Sequence, residues 1–319
     1  MTVRSVVSRS SAAPAPEAPT PPDAAGTRPV DPAPRPYLHL DETISPVVLT
    51  DFDVEAYTRK DHGRLPVETE LLHAQDPLPA AVVRALRAWQ HLEATALTES
   101  RAMLATWTGN EARVTAFLAT WLVERYWLAS ALRDLLPTDP ADADDPPHRP
   151  AGVRGPAGVR GRLRRIHVDR MQPLLAPLWS ALAGEAITAG HMARMAIQEA
   201  TLQAGLQALA PQLHGEARRV VEWAAERHED PVRFFRAEAI ARITRSRREA
   251  LTARAVLTLT SPLDGGGVPD PDLAAALAVI GTDPDRRAAV HRARFEITRL
   301  LPGPDLPQRH LAALSRTGV

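Results

Sequence analysis

Cysteine is missing from all 319 residues, which excludes disulfide bonds, thiolate metal sites and cysteine nucleophiles. Lysine is nearly missing too, because Lys60 is the only one and the other basic side chains are arginines. Given this general arginine bias, a cluster of arginines is weak evidence for a phosphate or nucleic-acid site. The 38 basic and 38 acidic residues balance, so no net charge draws the chain toward nucleic acid or an acidic membrane.

Long hydrophobic runs are absent as well. No apolar stretch reaches the roughly 20 residues that a membrane-spanning helix needs. Residues 1–19 lack the continuous apolar core of a secretory signal. The lack of cysteine fits a reducing compartment. These absences predict a cytoplasmic protein without a membrane partner.

Composition divides the chain into segments. Residues 1–36 are rich in Ala, Pro, Thr and Ser with almost no large apolar side chains, which predicts a disordered tail. Residues 37–77 are expected to be an extended lead-in, and residues 78–319 to form a helical domain. Within this domain residues 137–161 are predicted to be a linker, because they are rich in proline and contain the hexapeptide PAGVRG twice in tandem.

Helical periodicity covers most of the domain, and no convincing pair of strands is present, which predicts an all-α fold. The expected helices span about 79–107, 110–136, 162–183, 186–210, 216–249, 269–280 and 284–301. A loop with some extended chain is expected over residues 253–268. Two antiparallel helices, a long crossover with its own helix and two more antiparallel helices follow the order of a ferritin-like four-helix bundle.

Each core helix carries one polar residue near the middle of an otherwise apolar stripe. The stripes are Leu86, Glu93, Leu97 and Leu104; Val114, Leu118, Trp121, Arg125, Leu128 and Leu132; Met192, Met195, Glu199, Leu202 and Leu206; and Val221, Ala224, His228 and Phe235. Charged residues are almost never fully buried alone. The pattern therefore predicts that Glu93, Arg125, Glu199 and His228 meet in the interior.

The chain resembles the actinobacterial ferritin-like proteins that are distantly related to soluble acyl-carrier-protein desaturases. The resemblance covers roughly residues 78–300 and is carried by VTAFLATWLVERYW, SALAGEAITAGHMARMAIQEATLQAGLQAL, RFFRAEAIARI and SPLDGGGV. It implies a bundle with a crossover helix and extra C-terminal helices. It also implies two irons, bound by Glu, Glu-x-x-His, Glu and Glu-x-x-His on four successive helices. Glu93 and Glu199 match the two single-Glu positions.

Both paired motifs of this resemblance are altered here. On the second helix Arg125 stands at the Glu position and Leu128 at the His position. On the fourth helix His228 stands at the Glu position and Pro231 at the His position. Arginine stays protonated and has no free lone pair, and leucine and proline offer no side-chain ligand atom. The resemblance therefore predicts a degenerate site, with no cofactor expected.

Three alternatives stay open at this point. A one-residue shift of the second helix places Glu124 and Trp127 at its two ligand positions, and a two-residue shift of the fourth places Glu226 and Glu229 there. Neither shift restores a histidine, and both turn the apolar stripes away from the core. As a third alternative, Arg125 lies at the edge of a groove and extends its charged end to water.

The leading interpretation is a ferritin-like pseudoenzyme in which Arg125 supplies the charge that iron would provide, by pairing with Glu93 and Glu199, while His228 joins them. It predicts a non-redox scaffold, a partner of an identical chain or an active relative, or a binder of an apolar ligand in the bundle interior. The alternative is an O2-dependent oxidoreductase, a desaturase or oxygenase that holds iron or another metal through Glu93, Glu199 and His228. Non-redox catalysis by the cluster also stays open, because buried ionisable clusters often mark active sites.

Overall fold

The computed structural model of the chain describes residues 49–137, 181–260, 262–263, 268 and 270–306. Throughout these residues the regular structure is helical and no strand occurs, which confirms the predicted all-α class. The helices are α1 (Val54–Thr58), α2 (Thr69–His73), α3 (Ala80–Ala94), α4 (Ala96–Leu104), α5 (Ala112–Asp134), α6 (Ile187–Leu209), α7 (Gly215–Arg227), α8 (Glu229–Arg245), α9 (Arg247–Leu259), α10 (Asp270–Thr282) and α11 (Pro284–Thr298). Short 3-10 helices occupy Trp107–Asn110, Gly184–Ala186 and Ala210–Gln212.

Some predicted segments lie outside the described residues. These are the tail 1–36, nearly all of the linker 137–161, and the helix 162–183 apart from its last three residues. The described part of the lead-in, residues 49–77, is not extended throughout, because it contains α1 and α2.

The first predicted helix is interrupted at Thr95, where α3 ends and α4 begins. The carbonyl of Leu92 accepts hydrogen bonds from Thr95 Oγ1 at 2.9 Å and from Arg125 Nη2 at 3.1 Å. Side chains that insert into the helical ladder are a recognised cause of such breaks. The prediction that Leu97 and Leu104 are buried is wrong, since both are 40% exposed and α4 turns them outward.

The predicted helix 216–249 is three helices. The first break falls at His228, three residues before Pro231, which has no N–H to donate to the carbonyl of Arg227. The second break falls at Ser246, whose Oγ accepts a hydrogen bond from the Glu249 N–H at 3.2 Å. Ser246 and Glu249 form the S-x-x-E pattern of a helix start. Because α9 runs to Leu259, the loop expected from residue 253 begins later.

Helix α6 lies at the centre of the described fold and packs against α7, α8, α9, α10 and α11. Helices α3 and α5 pack on each other, α10 covers α3, and α7 contacts both α5 and α6. The described residues belong to one compact unit, Val48–Val319. None of the helices described is long and apolar enough to cross a membrane.

The buried apolar side chains form two clusters rather than one. The first includes Leu92, Leu128, Leu202 and Ala224, and the second includes Ala96, Trp121, Met195 and Phe234. Along each of the four chain segments, the change from one cluster to the other coincides with the predicted polar residue. Glu93, Arg125, Glu199 and His228 therefore lie between the two clusters as a polar layer.

Candidate functional site

The structure brings together all four residues predicted to meet. Glu93 lies in the last turn of α3, Arg125 at the middle of α5, Glu199 at the middle of α6, and His228 at the junction of α7 and α8. Each is at most 1% exposed, so the alternative in which Arg125 reaches water is wrong. The prediction placed His228 near the middle of one long helix. In the structure it occupies the break between two helices instead.

Arg125 lies between the two carboxylates. Its Nε is 2.8 Å from Glu93 Oε2, and its Nη1 is 3.4 Å from Glu199 Oε1. Its Nη2 donates to the carbonyl of Leu92, and its guanidinium carbon is 5.4 Å from the centre of the Trp121 ring. The planar guanidinium thus contacts an acidic group on each side and an aromatic face, a setting that suits arginine better than lysine.

His228 joins the same two carboxylates from another direction. Its Nδ1 is 2.7 Å from Glu199 Oε2, and its Nε2 is 2.9 Å from Glu93 Oε1. Burial lowers the pKa of His228, but the charges of Glu93 and Glu199 outweigh burial and raise that pKa to about 9. At neutral pH both ring nitrogens carry protons, and each donates to a carboxylate.

The cluster pairs two acidic side chains with two basic ones. Two carboxylates are balanced by one guanidinium and one imidazolium. Burial alone would raise the pKa of Glu199, but Arg125 and His228 outweigh it and lower that pKa. Burial alone would lower the pKa of Arg125, but Glu199 and Glu93 outweigh it and raise that pKa. Each acidic side chain faces both basic ones at short range, so no further ion is needed to balance the cluster.

The residues present do not fit the di-iron centre that the resemblance implies. In the part of the chain that the structure describes, no group of three or more His, Asp or Glu side chains is arranged to hold a metal ion. Glu93, Glu199 and His228 do converge, but both ring nitrogens of His228 point at carboxylate oxygens. Arg125 lies on the remaining side of both carboxylates, and Leu128 is buried in the apolar core.

Both shifted registers are wrong. Glu124 is buried but bonds to groups outside the cluster, while Glu226 and Glu229 are exposed. The ligand positions derived from Arg125 and His228 are therefore the ones that face the interior.

A second buried polar cluster was not predicted from the sequence. Tyr57 Oη donates to Glu124 Oε2 at 2.7 Å, and His62 Nδ1 lies 3.2 Å from Glu124 Oε1. Arg227 Nη1 is 3.4 Å from the same oxygen. Burial, reinforced by the charge of Glu124, raises the pKa of Tyr57 above its ordinary value. This cluster ties the lead-in to α5 and to the end of α7.

The lead-in is also anchored at Glu238, which is fully buried on α8. Glu238 accepts hydrogen bonds from Thr50 Oγ1 at 2.9 Å, from Arg113 Nε at 3.2 Å and from Arg242 Nη2 at 2.8 Å. Arg113 also donates from Nη2 to Thr50 Oγ1 at 2.8 Å. Residues 50–62 are therefore anchored to the helices, and Phe52 and Tyr57 are buried in the second apolar cluster. The sequence did not predict this, because these residues show no apolar periodicity.

Two other histidines, His191 and His214, do not join the cluster. His191 Nδ1 lies 2.9 Å from Thr108 Oγ1, and burial together with the charge of Arg194 lowers the pKa of His191 to about 3. His214 precedes the first residue of α7 and makes no side-chain cap. Both therefore lie outside the polar layer.

A groove of about 340 Å³ opens next to the cluster, where α3 gives way to α4 beside α5. Its lining is Glu93, Ala94, Ala96, Leu97, Leu122, Val123, Tyr126, Trp127 and Ala129. Glu93 is the one lining residue that also belongs to the charge cluster. At this groove the buried cluster adjoins an apolar opening at the surface.

No protein-family model, curated protein or solved structure matches the chain.

Proposed function

We propose that this chain is a ferritin-like helical-bundle protein in which a buried charge cluster replaces a di-iron centre, and that it acts without redox chemistry. The observation that carries this proposal is the position of Arg125. Its guanidinium lies between Glu93 and Glu199, the two residues that match the single-Glu ligands of the ferritin-like pattern. A positively charged side chain of the protein thus occupies the place where that pattern has metal ions.

The electrostatics argue against replacement of this arrangement by a metal ion. A metal ion would have to displace a guanidinium that stays protonated at any ordinary pH. It would also have to take carboxylate oxygens from an imidazolium 2.7 and 2.9 Å away. Displacing either cation without exporting it to water would leave uncompensated positive charge in the interior, which costs several kcal/mol per ion.

Among non-redox roles, the geometry favours binding of an apolar ligand over a purely structural role. The sequence predicted such a ligand in the bundle interior, where the charge cluster and the two apolar clusters lie. The groove beside α5 is a more suitable place, because it is open and lined almost entirely by apolar side chains. A scaffold or partner role would need no such concavity.

Metal analysis tests the proposal. The protein is expressed in iron-supplemented medium, purified without chelator and assayed for metal per chain, then titrated aerobically with ferrous iron. We expect no stoichiometric iron and no near-ultraviolet absorbance from an oxo bridge. About two irons per chain with that absorbance would overturn the proposal.

The alternative, an O2-dependent oxidoreductase, draws support from the convergence of Glu93, Glu199 and His228. It requires Arg125 to withdraw so that these three groups can turn toward one metal ion. One equivalent of bound metal that is lost in His228→Gln would favour this alternative, whereas a metal-free wild type speaks against it.

A further inference from the structure

The groove owes its depth to small residues on both of its sides. Ala94 and Ala96 flank the break between α3 and α4, and Ala129 faces them from α5. Each of these side chains is a single methyl group. Because larger residues surround them, the alanines leave a concavity rather than a ridge.

The rim of the groove concentrates apolar surface. Leu97, Val123 and Tyr126 are 40, 50 and 38% exposed, respectively. Trp127 packs edge-on against Tyr126, with ring centres 4.8 Å apart. Single exposed apolar residues are normal, but several around one concavity are typical of binding sites.

The charge at the floor defines what kind of molecule fits. Among the described residues of the lining, Glu93 is the only charged one, and it is paired with Arg125 and His228. An anionic ligand would approach a carboxylate, and the described lining offers it no cation. A cationic ligand would have to compete with two buried ion pairs. Both would lose hydration without a compensating partner.

The volume sets the size. An apolar protein cavity of about 150 Å³ takes up benzene. The groove holds about 340 Å³, so a bicyclic aromatic molecule or a branched hydrocarbon of similar size fits it. Pockets of about 300 Å³ and more are typical of small-molecule sites.

We propose that the groove between the α3–α4 break and α5 binds a neutral, apolar small molecule about the size of a bicyclic aromatic ring. This inference rests on the proposed non-redox function and names the ligand class. Glu93, with the charge cluster behind it, forms the closed inner end of the site. The aromatic and aliphatic side chains of α5 form its wall.

Isothermal titration calorimetry with three compounds that share one ring system tests the proposal. Indole is neutral, indole-3-acetate is an anion and tryptamine is a cation. We expect indole to bind with a negative heat-capacity change, as burial of apolar surface produces. The two charged analogues should bind at least about tenfold more weakly, equivalent to about 1.4 kcal/mol.

A substitution that fills the groove provides a variant that should not bind indole. Ala94 is half-buried, so Ala94→Leu projects into the groove without overpacking the core, and it should abolish indole binding. Ala119→Leu is the matched control, because Ala119 is exposed on α5 outside the lining. If Ala94→Leu fails to fold, Val123→Asp at the half-exposed rim provides a second variant with the same expected loss.

Three results would overturn the proposal: no indole binding by the wild type, equal binding by Ala94→Leu, or equal binding of all three compounds. Sedimentation velocity on the same samples measures the oligomeric state and can give a fourth such result. A wild-type dimer that Ala94→Leu dissociates would assign the groove to a second copy of the chain. Failure here is distinguishable from failure of the proposed function, since metal content is measured independently of indole binding.

Discussion

Replacing Arg125 with leucine removes both salt bridges, the hydrogen bond to the Leu92 carbonyl and the contact with Trp121. Leucine adds apolar contact in a buried position, so an ordinary hydrophobic argument predicts a neutral or stabilising effect. The charge balance predicts the opposite. Without the guanidinium, Glu93 and Glu199 share only the imidazolium of His228, and the cluster is left one positive charge short.

The expected loss follows from the burial of the cluster. Removing one partner of a buried ion pair typically costs about 3–5 kcal/mol, because the other charge stays unpaired. Surface substitutions usually stay within about 0.5 kcal/mol. A loss of this size lowers the melting temperature of a domain of 150–250 residues by roughly 10 °C. Arg101→Leu is the matched control, since Arg101 is exposed on α4.

A second substitution separates the charge effect from packing. In the double variant Arg125→Leu/Glu93→Gln, Glu199 and His228 balance each other again, so part of the lost stability should return. The free energies of unfolding come from urea melts of both single variants, the double variant and the wild type. The coupling between the two changes should be about 0.5–3 kcal/mol, as for residues in contact.

The destabilisation should also depend on pH. In Arg125→Leu the folded-state pKa of Glu199 loses the charge that lowers it most and is expected to rise above the unfolded value of about 4.3. The loss then appears as pH rises through the unfolded pKa and is relieved below it. A neutral or stabilising Arg125→Leu at pH 7, or a double variant no better than the single one, would refute this account of the cluster.

Other changes test neighbouring features. Wild-type stability should fall as pH rises, because the raised pKa of His228 gives a contribution that is complete below its unfolded value of 6.5 and lost as pH passes through about 9; urea melts of His228→Gln should lack this decline. Tyr57→Phe removes a buried donor to Glu124, and thermal melts should report a loss of about 1–3 kcal/mol; no loss would mean that Glu124 does not depend on that bond. Gly205→Ala places a methyl group 2.3 Å from Trp89 Cζ2, and the resulting overpacking should cost about 1–3 kcal/mol in the same melts; an unchanged melting temperature would show that Trp89 can move.

The helical class was predictable because apolar residues at a period near 3.6 mark the buried faces of helices. Two of the missed helix breaks had visible signals, Pro231 and the S-x-x-E pattern that begins at Ser246. The break at Thr95 had no reliable local signal. It accompanies a hydrogen bond from Arg125, on another helix, to the carbonyl of Leu92.

The sequence predicted which residues form the candidate site, but not how their atoms are arranged. One polar residue on each of four apolar stripes indicated that Glu93, Arg125, Glu199 and His228 meet. Which nitrogen faces which oxygen depends on the relative positions of four chain segments, and no local pattern encodes that. The tie between Tyr57 and Glu124 was missed because an irregular segment has no periodicity that marks its buried side chains.

The most direct test of the central claim, that side-chain cations of the chain itself neutralise both buried carboxylates, is the protonation state of His228. Nitrogen NMR of histidine-labelled protein, assigned with His228→Gln, measures it across a pH titration. The account predicts an imidazolium at pH 7.5 that loses its proton near pH 9. A neutral His228 ring at pH 7.5 would leave the cluster one positive charge short and would contradict the account.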